Sequence, residues 1–405
     1  MPVLQPGVAL VSRRVAVAAA PSGVPSHSLA TSAPLARIDG SALAHNFREV
    51  RRLVGPATGV LAMVKSDAYG HGAAICGAVL ARAGCRAFGV VTTEEAAELS
   101  PVVRAAAGPE PVRVVILGGI LPGEAAAALA SGAGVATQEI SVVRALGAAA
   151  SASGGEALVH VKLDTGMHRL GLPPEDAVAF VREASAVRGV RVVALCSHFA
   201  LAESVTGEVT AGQLEKLLAA DAALRAAGFA LERHLANSAA ILSRPEAHLD
   251  MVRPGIMLYG VAPDAALAGR ADLKPVMRLS ARVIRVADIA PGEGIGYGHT
   301  FETTRPTRLA TVRCGYADGY PRSLGNVAVA AAGGVRVPLV GRICMDHAMF
   351  DVTGAGPVAV GDEIVLWGAE PRVDEVAGLA GTIAYELLAR TGRRVRRELT
   401  NELGA

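Results

Sequence analysis

The sequence is poor in aromatic residues and in cysteine. Phe, Trp and Tyr make up 3% of the 405 residues, whereas hydrophobic residues as a whole make up 51%. The five cysteines lie far apart and form no CxxC pair, which argues against zinc knuckles and a disulfide framework and favours a reducing compartment. We therefore predict no metal site, and we interpret the cysteines as small buried side chains.

Long hydrophobic runs and an excess of one charge are also absent from the sequence. The most apolar stretches, such as 125–136, are shorter than the roughly 18 residues that a membrane span requires. The formal net charge is +2, with acidic and basic residues interleaved, so the sequence shows no footprint for nucleic acid or for an anionic membrane. We expect a cytoplasmic protein that binds neither.

The beginning of the chain differs in composition from the rest, because it is rich in Ser, Pro, Ala and Val. We predict a loose N-terminal tail over 1–33. A short export signal is the alternative, since a basic pair precedes an apolar stretch there. Pro21 interrupts that stretch after a few residues, which disfavours the signal.

From about residue 40, short Val/Ile/Leu-rich runs alternate with alanine-rich segments of helical spacing. Eight such alternations predict a parallel (β/α)8 barrel over 34–262. A doubly wound sheet is the alternative, although no GxGxxG motif follows the first strand. The predicted strands lie near residues 59–64, 86–91, 113–118, 133–137, 157–163, 191–198, 232–236 and 250–258.

Near residue 263 the pattern changes. Short alternating runs, separated by Gly-Pro and Gly-Asp turns, replace the helical spacing, which does not return until about residue 373. This pattern predicts a second, mainly antiparallel β domain over 263–405. The first strand of the chain, which precedes the barrel, is a candidate member of that sheet.

Polar side chains follow several of the predicted barrel strands. Enzymes of this fold build their active sites at the C-terminal ends of the strands, so these side chains are candidate site residues. They are Lys65 after the first strand, Lys162 after the fifth, His198 after the sixth, Asn237 and Ser238 after the seventh, and Arg253 and Gly255 after the eighth.

A strand-end lysine and a phosphate-binding corner together point to pyridoxal phosphate. The loops after strands seven and eight commonly bind phosphate in this fold, and here they offer amide, hydroxyl and glycine backbone donors. Lys65 would hold the cofactor covalently through its amine. Arg253 is always charged and would leave the pyridine nitrogen unprotonated, which favours proton exchange over side reactions. His198 is expected beside the cofactor ring.

Eight segments resemble the alanine racemase family, in the family's order, from about Leu35 to Arg396. Two departures are visible: "KSD" at 65–67 stands where "KAN" is commoner, and "RVRRE" replaces a usual "RVPR" near the end. The segments are "VKSDAYGHG", "KLDTGMHRLG", "SHFA", "HLANSAA", "RPGIMLYG", "GIGYGHT", "GYADGYPRSL" and "GRICMDHAMFDV".

The resemblance implies a homodimeric, pyridoxal-phosphate-dependent racemase that interconverts L- and D-alanine and supplies D-alanine for peptidoglycan. Racemisation needs one base on each face of the substrate α-carbon. The residues that match the family's two bases are Lys65 and Tyr297, and Tyr297 would reach the active site from the partner subunit.

Further roles follow from the resemblance alone. Arg169 matches a residue that contacts the tyrosine base and the substrate carboxylate, and Met345 matches a backbone contact to that carboxylate. Lys162 matches a lysine that is often carbamylated, although an ordinary lysine paired with Asp164 fits the sequence equally well. The remaining matched positions are the phosphate contacts Tyr69, Ser238, Gly255, Ile256 and Tyr385, the pyridine-nitrogen partner Arg253, and the supporting residues Tyr316 and Asp346.

Two alternative functions stay open on the sequence. A racemase of broader or different amino-acid specificity would carry the same motifs. A non-catalytic pyridoxal-phosphate-binding protein would keep Lys65 and the phosphate corner, but it would need neither the second domain nor Tyr297. A decarboxylase on a related barrel should present a carboxylate to the pyridine nitrogen, and Arg253 opposes that reading.

Overall fold

The computed structural model describes residues 32–203 and 207–402. Residues from Ser32 onward form one compact unit that holds both a barrel and a sheet. The predicted N-terminal tail lies outside the described residues, apart from its last two positions. No helix within the described ranges is both long enough and apolar enough to cross a bilayer.

Eight parallel strands close into a barrel, which confirms the predicted fold class. Each strand pairs with the next along the chain, and the last pairs with the first through Met251 and Gly59. The aliphatic runs suit this position because both faces of such strands are covered. The barrel strands are β2 Gly59–Met63, β3 Ala87–Val90, β4 Arg113–Ile116, β5 Gly134–Thr137, β6 Ala157–Lys162, β7 Val190–Cys196, β8 Glu232–Asn237 and β9 Met251–Arg253.

Side chains at the helix starts satisfy backbone N–H groups that a helix leaves free. Asp39 accepts from the N–H of Ala42 at 2.9 Å, and Thr92 and Glu95 form a capping box, each of which stabilises a first turn. The helices are α1 Gly40–Val54, α2 Lys65–Tyr69, α3 Ala73–Arg82, α4 Thr93–Ala107, α5 Ala125–Ala130, α6 Ile140–Ser153, α7 Ala177–Ser185, α8 Glu208–Ala226, α9 Ser238–Ser243, α10 Val373–Leu379 and α11 Ala384–Ala389.

Beyond the barrel the chain forms a mainly antiparallel sheet. The strand that precedes the barrel, β1, lies in this sheet between β10 and β18, so both ends of the described chain meet there. β1 runs antiparallel to β10 and parallel to β18. The strands of this part are β1 Leu35–Asp39, β10 Met277–Ile289, β11 Gly294–Ile295, β12 Phe301–Glu302, β13 Thr307–Val312, β14 Val329–Ala332, β15 Val335–Pro338, β16 Ala348–Asp351, β17 Glu363–Trp367 and β18 Arg396–Thr400.

The eighth barrel strand is shorter than the sequence predicted. An apolar run over 250–258 was expected to be one strand, but β9 covers only Met251–Arg253, and a short 3-10 helix occupies Ile256–Tyr259. Pro254 explains the break, because it has no N–H with which to continue a strand ladder. As a result, Gly255 and Ile256 lie at the mouth of the barrel.

Candidate active site

The C-terminal mouth of the barrel contains a cavity of ≈ 500 Å³. Residues from several strand ends line it, together with Tyr385 from helix α11. The parallel barrel therefore brings residues that are distant in sequence into one place. The predicted site residues that line this cavity are Lys65, Tyr69, Lys162, Arg169, His198, Asn237, Ser238, Arg253, Gly255, Ile256 and Tyr385.

The described lining of the cavity carries positively charged side chains and no carboxylate. Its lining includes the cations Lys65, Lys162, Arg169 and Arg253, and no described Asp or Glu is part of that lining. Cations that are partly removed from water are stabilised by an opposite charge. The cavity therefore suits anionic ligands, such as a phosphate group or the carboxylate of an amino acid.

Lys65 begins a left-handed turn rather than an ordinary helix. Residues 66–68 have φ between 52° and 54° and ψ between 48° and 51°, and Tyr69 has φ 53°. This conformation costs an L residue about 1–2 kcal/mol, so four of them cost roughly 4–8 kcal/mol. The turn brings its first and last side chains, Lys65 and Tyr69, to the same cavity. Surrounding contacts must offset the cost.

The amine of Lys65 is tuned by its surroundings. Burial is the largest cause that lowers its pKa from the usual value, and the charge of Arg169 lowers it further, while Glu95 opposes the change. A lower pKa increases the neutral fraction of the amine at a given pH. The neutral amine is the form that attacks an aldehyde, so the site favours covalent attachment of a carbonyl cofactor.

A polar corner of the cavity lies between α9 and the end of β9. Ser238 Oγ accepts from the N–H of Gly255 at 2.9 Å, which leaves the hydroxyl hydrogen of Ser238 able to donate. A Cβ added to Gly255 would lie 2.3 Å from the Tyr69 hydroxyl oxygen, so the glycine makes room for that hydroxyl. Asn237 Oδ1 caps α9 by accepting from Ala240 N at 3.0 Å. The hydroxyl donors of this corner fit the phosphate of pyridoxal phosphate.

Tyrosine rings support the polar corner. The ring of Tyr69 packs at 5.0 Å from that of Tyr259 and at 6.1 Å from that of Tyr385. The Tyr259 hydroxyl donates to Met63 O at 2.8 Å, which fixes this ring against the first barrel strand. Burial raises the pKa of both Tyr69 and Tyr385. Their hydroxyls therefore stay protonated near neutral pH and can donate to an anion.

Arg253 is buried and held in one orientation by its neighbours. Nη1 donates to Nδ1 and to the backbone oxygen of His234, at 2.8 and 2.7 Å. Nη2 contacts Ser197 O at 2.6 Å, Leu235 O at 3.0 Å and His198 Nδ1 at 3.2 Å. Within the described part of the chain, the Nε–H has no acceptor. This N–H is available to a ligand atom such as a pyridine nitrogen.

The histidines around Arg253 are neutral. Burial and the charge of Arg253 hold the pKa of His198 and of His234 well below the usual value. Because a guanidinium group can only donate, Nδ1 is the accepting nitrogen of both rings and the hydrogen resides on Nε2. His234 Nε2 then donates to His160 Nδ1 at 2.9 Å. These rings orient Arg253 without neutralising its charge.

Lys162 is buried, and no described carboxylate forms an ion pair with it. Asp164 Oδ1 accepts from the backbone N–H groups of 166–168, and Oδ2 pairs with His168 at 3.0 Å. Among the described residues no ion pair joins Lys162 to a carboxylate, although the charge of Asp164 still acts on its pKa. Burial is the largest cause that lowers the pKa of Lys162, to about 8, and the charges of Arg253 and Arg169 contribute.

A second group of predicted residues does not line the cavity of its own chain. The loops that hold Tyr316 and Cys344 are joined by a hydrogen bond from Tyr316 N to Cys344 O at 3.1 Å. Tyr297 is 70% exposed and Met345 is 54% exposed. In one chain, the predicted second base therefore faces solvent. The members of this group are Tyr297, Tyr316, Met345 and Asp346.

Asp346 anchors its loop through an arginine. Its carboxylate pairs with Arg394 at 2.8 Å, and Arg394 also pairs with the buried Asp318 at 2.9 Å. Asp318 ends the short 3-10 helix that begins at Tyr316. The arginine thus ties the loop of Met345 to the loop of Tyr316, which keeps the exposed group together.

Some residues that hold the site were missed on the sequence. Glu95 accepts from Ser66 N at 2.6 Å, and Arg397 donates to Gly70 O at 2.9 Å. The second contact joins positions 327 residues apart, and a single sequence carries no signal for such a pair. Glu95 did have a signal, since it occupies the third position of a capping box, but that pattern predicts only a helix start.

The comparisons with known proteins agree with this arrangement. The model of the alanine racemase N-terminal domain matches residues 38–263, and that of the alanine racemase C-terminal domain matches 276–399. The alanine racemase of Desulfovibrio desulfuricans is 43% identical over 367 residues, covering 89% of this chain and 96% of that relative. This chain belongs to the alanine racemase family.

Solved structures extend the racemase assignment to the fold. An alanine racemase structure from Clostridium difficile 630 matches with a TM-score of 0.86 at 31% identity, covering 93% of this chain and 98% of that chain. A structure from Bartonella henselae, with covalently bound pyridoxal phosphate, matches with a TM-score of 0.81 at 30% identity, covering 91% and 100%. The predicted family and its pyridoxal-phosphate dependence are confirmed.

The close approach of Gly255 to Tyr69 gives a first testable prediction. We expect Gly255→Ala to weaken pyridoxal-phosphate binding at least about tenfold, because the added methyl group would displace the Tyr69 hydroxyl from the polar corner. The measurement is an absorbance titration of cofactor-depleted racemase. Gly123→Ala is the control, since its Cβ would meet nothing within 4 Å. Equal affinities in the two variants would contradict a role for this corner.

Proposed function

We propose that this racemase interconverts L- and D-alanine by moving a proton at the substrate α-carbon between two bases, Lys65 and Tyr297 of the partner subunit. The observation that carries the proposal is the single cavity that holds Lys65, Arg253 and the corner of Ser238 and Gly255. We further propose that the protein acts in the cytoplasm, where D-alanine would be supplied for peptidoglycan.

Each part of pyridoxal phosphate has a matching group in the cavity. The Lys65 amine suits the aldehyde, the hydroxyls of Tyr69 and Ser238 suit the phosphate, and the Nε–H of Arg253 suits the pyridine nitrogen. When bound, the cofactor supplies an electron sink that makes the α-hydrogen of an amino acid acidic. Arg253 would donate to that nitrogen and keep its own proton, which would leave the sink weak and favour proton exchange over side reactions.

Lys65 serves one face of the substrate. Burial lowers its pKa, which increases the fraction of neutral amine at a given pH, and the neutral amine is the form that can accept the α-proton. Arg169 contributes to that lowered pKa from the same cavity, and its guanidinium has the planar fork that binds a carboxylate with two hydrogen bonds. One positive charge would thus both bind the substrate carboxylate and tune the base.

Tyr297 serves the opposite face, and a second copy of the chain is needed to bring it there. The exposed loops of Tyr297, Tyr316 and Met345 form a surface that a symmetric dimer can place over the partner's barrel mouth. A two-fold axis would create two identical shared sites. Tyr316 and Met345 would also narrow the way to the cavity, which favours a substrate as small as alanine.

Replacing Lys65 is the direct test of the proposed function. We expect purified racemase with added pyridoxal phosphate to convert L-alanine to D-alanine, as followed by chiral chromatography. Lys65→Ala should lose the absorbance band of the lysine-linked cofactor and at least about a thousandfold in rate. The control is Lys216→Ala on the exposed face of α8.

The same assay separates the alternatives. An unchanged absorbance spectrum in Lys65→Ala would contradict the site. Wild-type protein that binds the cofactor but leaves alanine unchanged would favour a non-catalytic pyridoxal-phosphate-binding protein. Several larger L-amino acids converted as fast as alanine would favour a racemase of broad specificity.

Mixing two inactive variants tests whether the site is shared between subunits. Lys65→Ala and Tyr297→Phe each remove one base, so each variant alone should be nearly inactive. After dissociation and reassociation together, hybrid dimers would hold one intact site each. Statistical mixing should restore roughly a quarter of the wild-type activity. A mixture as inactive as its parents would mean that both bases belong to one chain, whereas full activity of Tyr297→Phe alone would mean that Tyr297 is not a base.

Lys162 is proposed to form a carbamate. Its pKa of about 8 leaves neutral amine available, and the nitrogen of a neutral amine bonds to the carbon of CO₂ with release of one proton. The resulting anion would lie in the same cavity as Arg169 and Arg253, which form no ion pair with a carboxylate among the described residues.

Carbon-13 NMR with labelled bicarbonate tests this proposal. We expect a carbamate signal that grows as the pH rises through about 8, because the neutral fraction of Lys162 then increases. Lys162→Met should lack the signal, and Lys216→Met should retain it. A wild-type spectrum without the signal across this pH range would leave Lys162 as an unmodified lysine.

A further inference from the structure

The left-handed turn at residues 66–69 is the least ordinary backbone of the cavity wall. Four successive L residues adopt positive φ there, which L residues rarely do outside single positions. Two side chains of the cavity, Lys65 and Tyr69, lie at its two ends. A relaxed turn would move both, so the groups that hold it control the geometry of the lysine and of the polar corner.

Arg397, on strand β18, connects this turn to the segment that follows α11. Nε donates to Gly70 O at 2.9 Å. Three further hydrogen bonds reach the segment that follows α11, and Asp67 adds an ion pair, so the guanidinium has five contacts in all. These further contacts are Thr391 O at 2.9 Å, Val395 O at 3.1 Å, Gly392 O at 3.3 Å and Asp67 Oδ2 at 3.4 Å.

The two segments that Arg397 joins both deliver residues to the cavity. The turn delivers Lys65 and Tyr69, and helix α11, which ends just before the 391–395 segment, delivers Tyr385. Gly70 packs so closely on this helix that an added Cβ would lie 2.0 Å from Leu388 O. The relative position of turn and helix is therefore narrowly defined, and Arg397 bridges them with hydrogen bonds.

We propose that Arg397 is a positioning residue of the racemase: it holds the left-handed turn against the segment after α11, so that Lys65 and the hydroxyl of Tyr69 are aimed into the cofactor cavity. The inference rests on the proposed function for its catalytic meaning. We call the contacts of Arg397 with the turn and with the segment after α11 the clamp. The effect of the clamp on the turn can be measured without an activity assay.

The ion pair with Asp67 is the minor part of the clamp. The Asp67 side chain is 54% exposed and its oxygen lies 3.4 Å from Arg397, and ion pairs this exposed contribute little. Asp67 Oδ1 also accepts from Ala73 N at 2.7 Å, a bond that an asparagine oxygen can make equally well. We therefore expect the turn to keep its conformation in Asp67→Asn. We expect it to relax when the hydrogen bonds of Arg397 are lost.

Two measurements on the full-length holoenzyme test the proposal. Hydrogen exchange followed by mass spectrometry reports the amides of 68–72, which are bonded within the turn. Equilibrium dialysis reports the affinity for pyridoxal phosphate. We expect Arg397→Met to speed exchange in this peptide and to weaken cofactor affinity, each by about tenfold or more, with unchanged exchange at the distant barrel strand Arg113–Ile116.

Matched variants make the result specific. Arg396→Met changes the preceding residue of β18, whose side chain is exposed and pairs only with Glu398 among the described residues, and it should match wild type in both measurements. Arg397→Lys keeps the charge but can replace few of the five contacts. It should also speed exchange in 68–72 and weaken cofactor affinity, each by a smaller factor than Arg397→Met. If Arg397→Met does not fold, Arg397→Lys and Asp67→Asn carry the comparison.

The outcomes separate the inference from the function. Unchanged exchange in 68–72 and a cofactor affinity within about twofold of wild type, in Arg397→Met or in a folded Arg397→Lys, would overturn the positioning role. Faster exchange throughout the chain would do the same, because it would indicate general destabilisation. A wild-type protein without affinity for pyridoxal phosphate would overturn the proposed function, and the exchange comparison would still decide whether Arg397 holds the turn.

Discussion

The parallel closure of the barrel is the constraint on which the rest of the structure depends. Because all eight strands run in one direction, their C-terminal ends open on one mouth, and residues as distant in sequence as Lys65 and Arg253 line one cavity. A residue that directly follows its strand therefore lies at this mouth. The early end of β9 at Arg253 matters for the same reason, since it places Gly255 beside Tyr69 at the mouth instead of within the strand ladder.

Electrostatics then decides what this cavity can hold. Four cationic side chains line it, and the described partners of Arg253 are carbonyls and neutral rings rather than carboxylates. Neutral acceptors such as His234 orient Arg253 while preserving its charge, whereas a carboxylate would cancel it. The positive charge of the cavity is therefore not neutralised by the protein and can attract anions. A phosphate and a substrate carboxylate satisfy that attraction, which links the burial of these cations to the family's cofactor and substrate.

Much of this arrangement could be predicted from the sequence, because the signals are local. Aliphatic runs predict strands, and a polar residue directly after a strand predicts the mouth, so Lys65, Ser238 and Arg253 could be found. The left-handed turn and Arg397 could not, since they depend on contacts between the two ends of the chain. The surroundings of Lys162 were also beyond reach: the spacing to Asp164 suggested a pair, but that carboxylate accepts from the backbone of its own loop.

The second domain carries residues for two active sites, one in its own chain and one proposed in the partner. This limits how far the domain can rotate on the barrel without disturbing either site. The second domain supplies Tyr385 to the cavity of its own chain through α11, and it carries the exposed Tyr297, which we propose acts in the site of a partner subunit. A rotation of the sheet on the barrel would disturb both sites at once. The chain resists such a rotation by placing β1, which leads into the barrel, between β10 and β18, and by packing Gly70 against Leu388 so closely that no side chain fits between them.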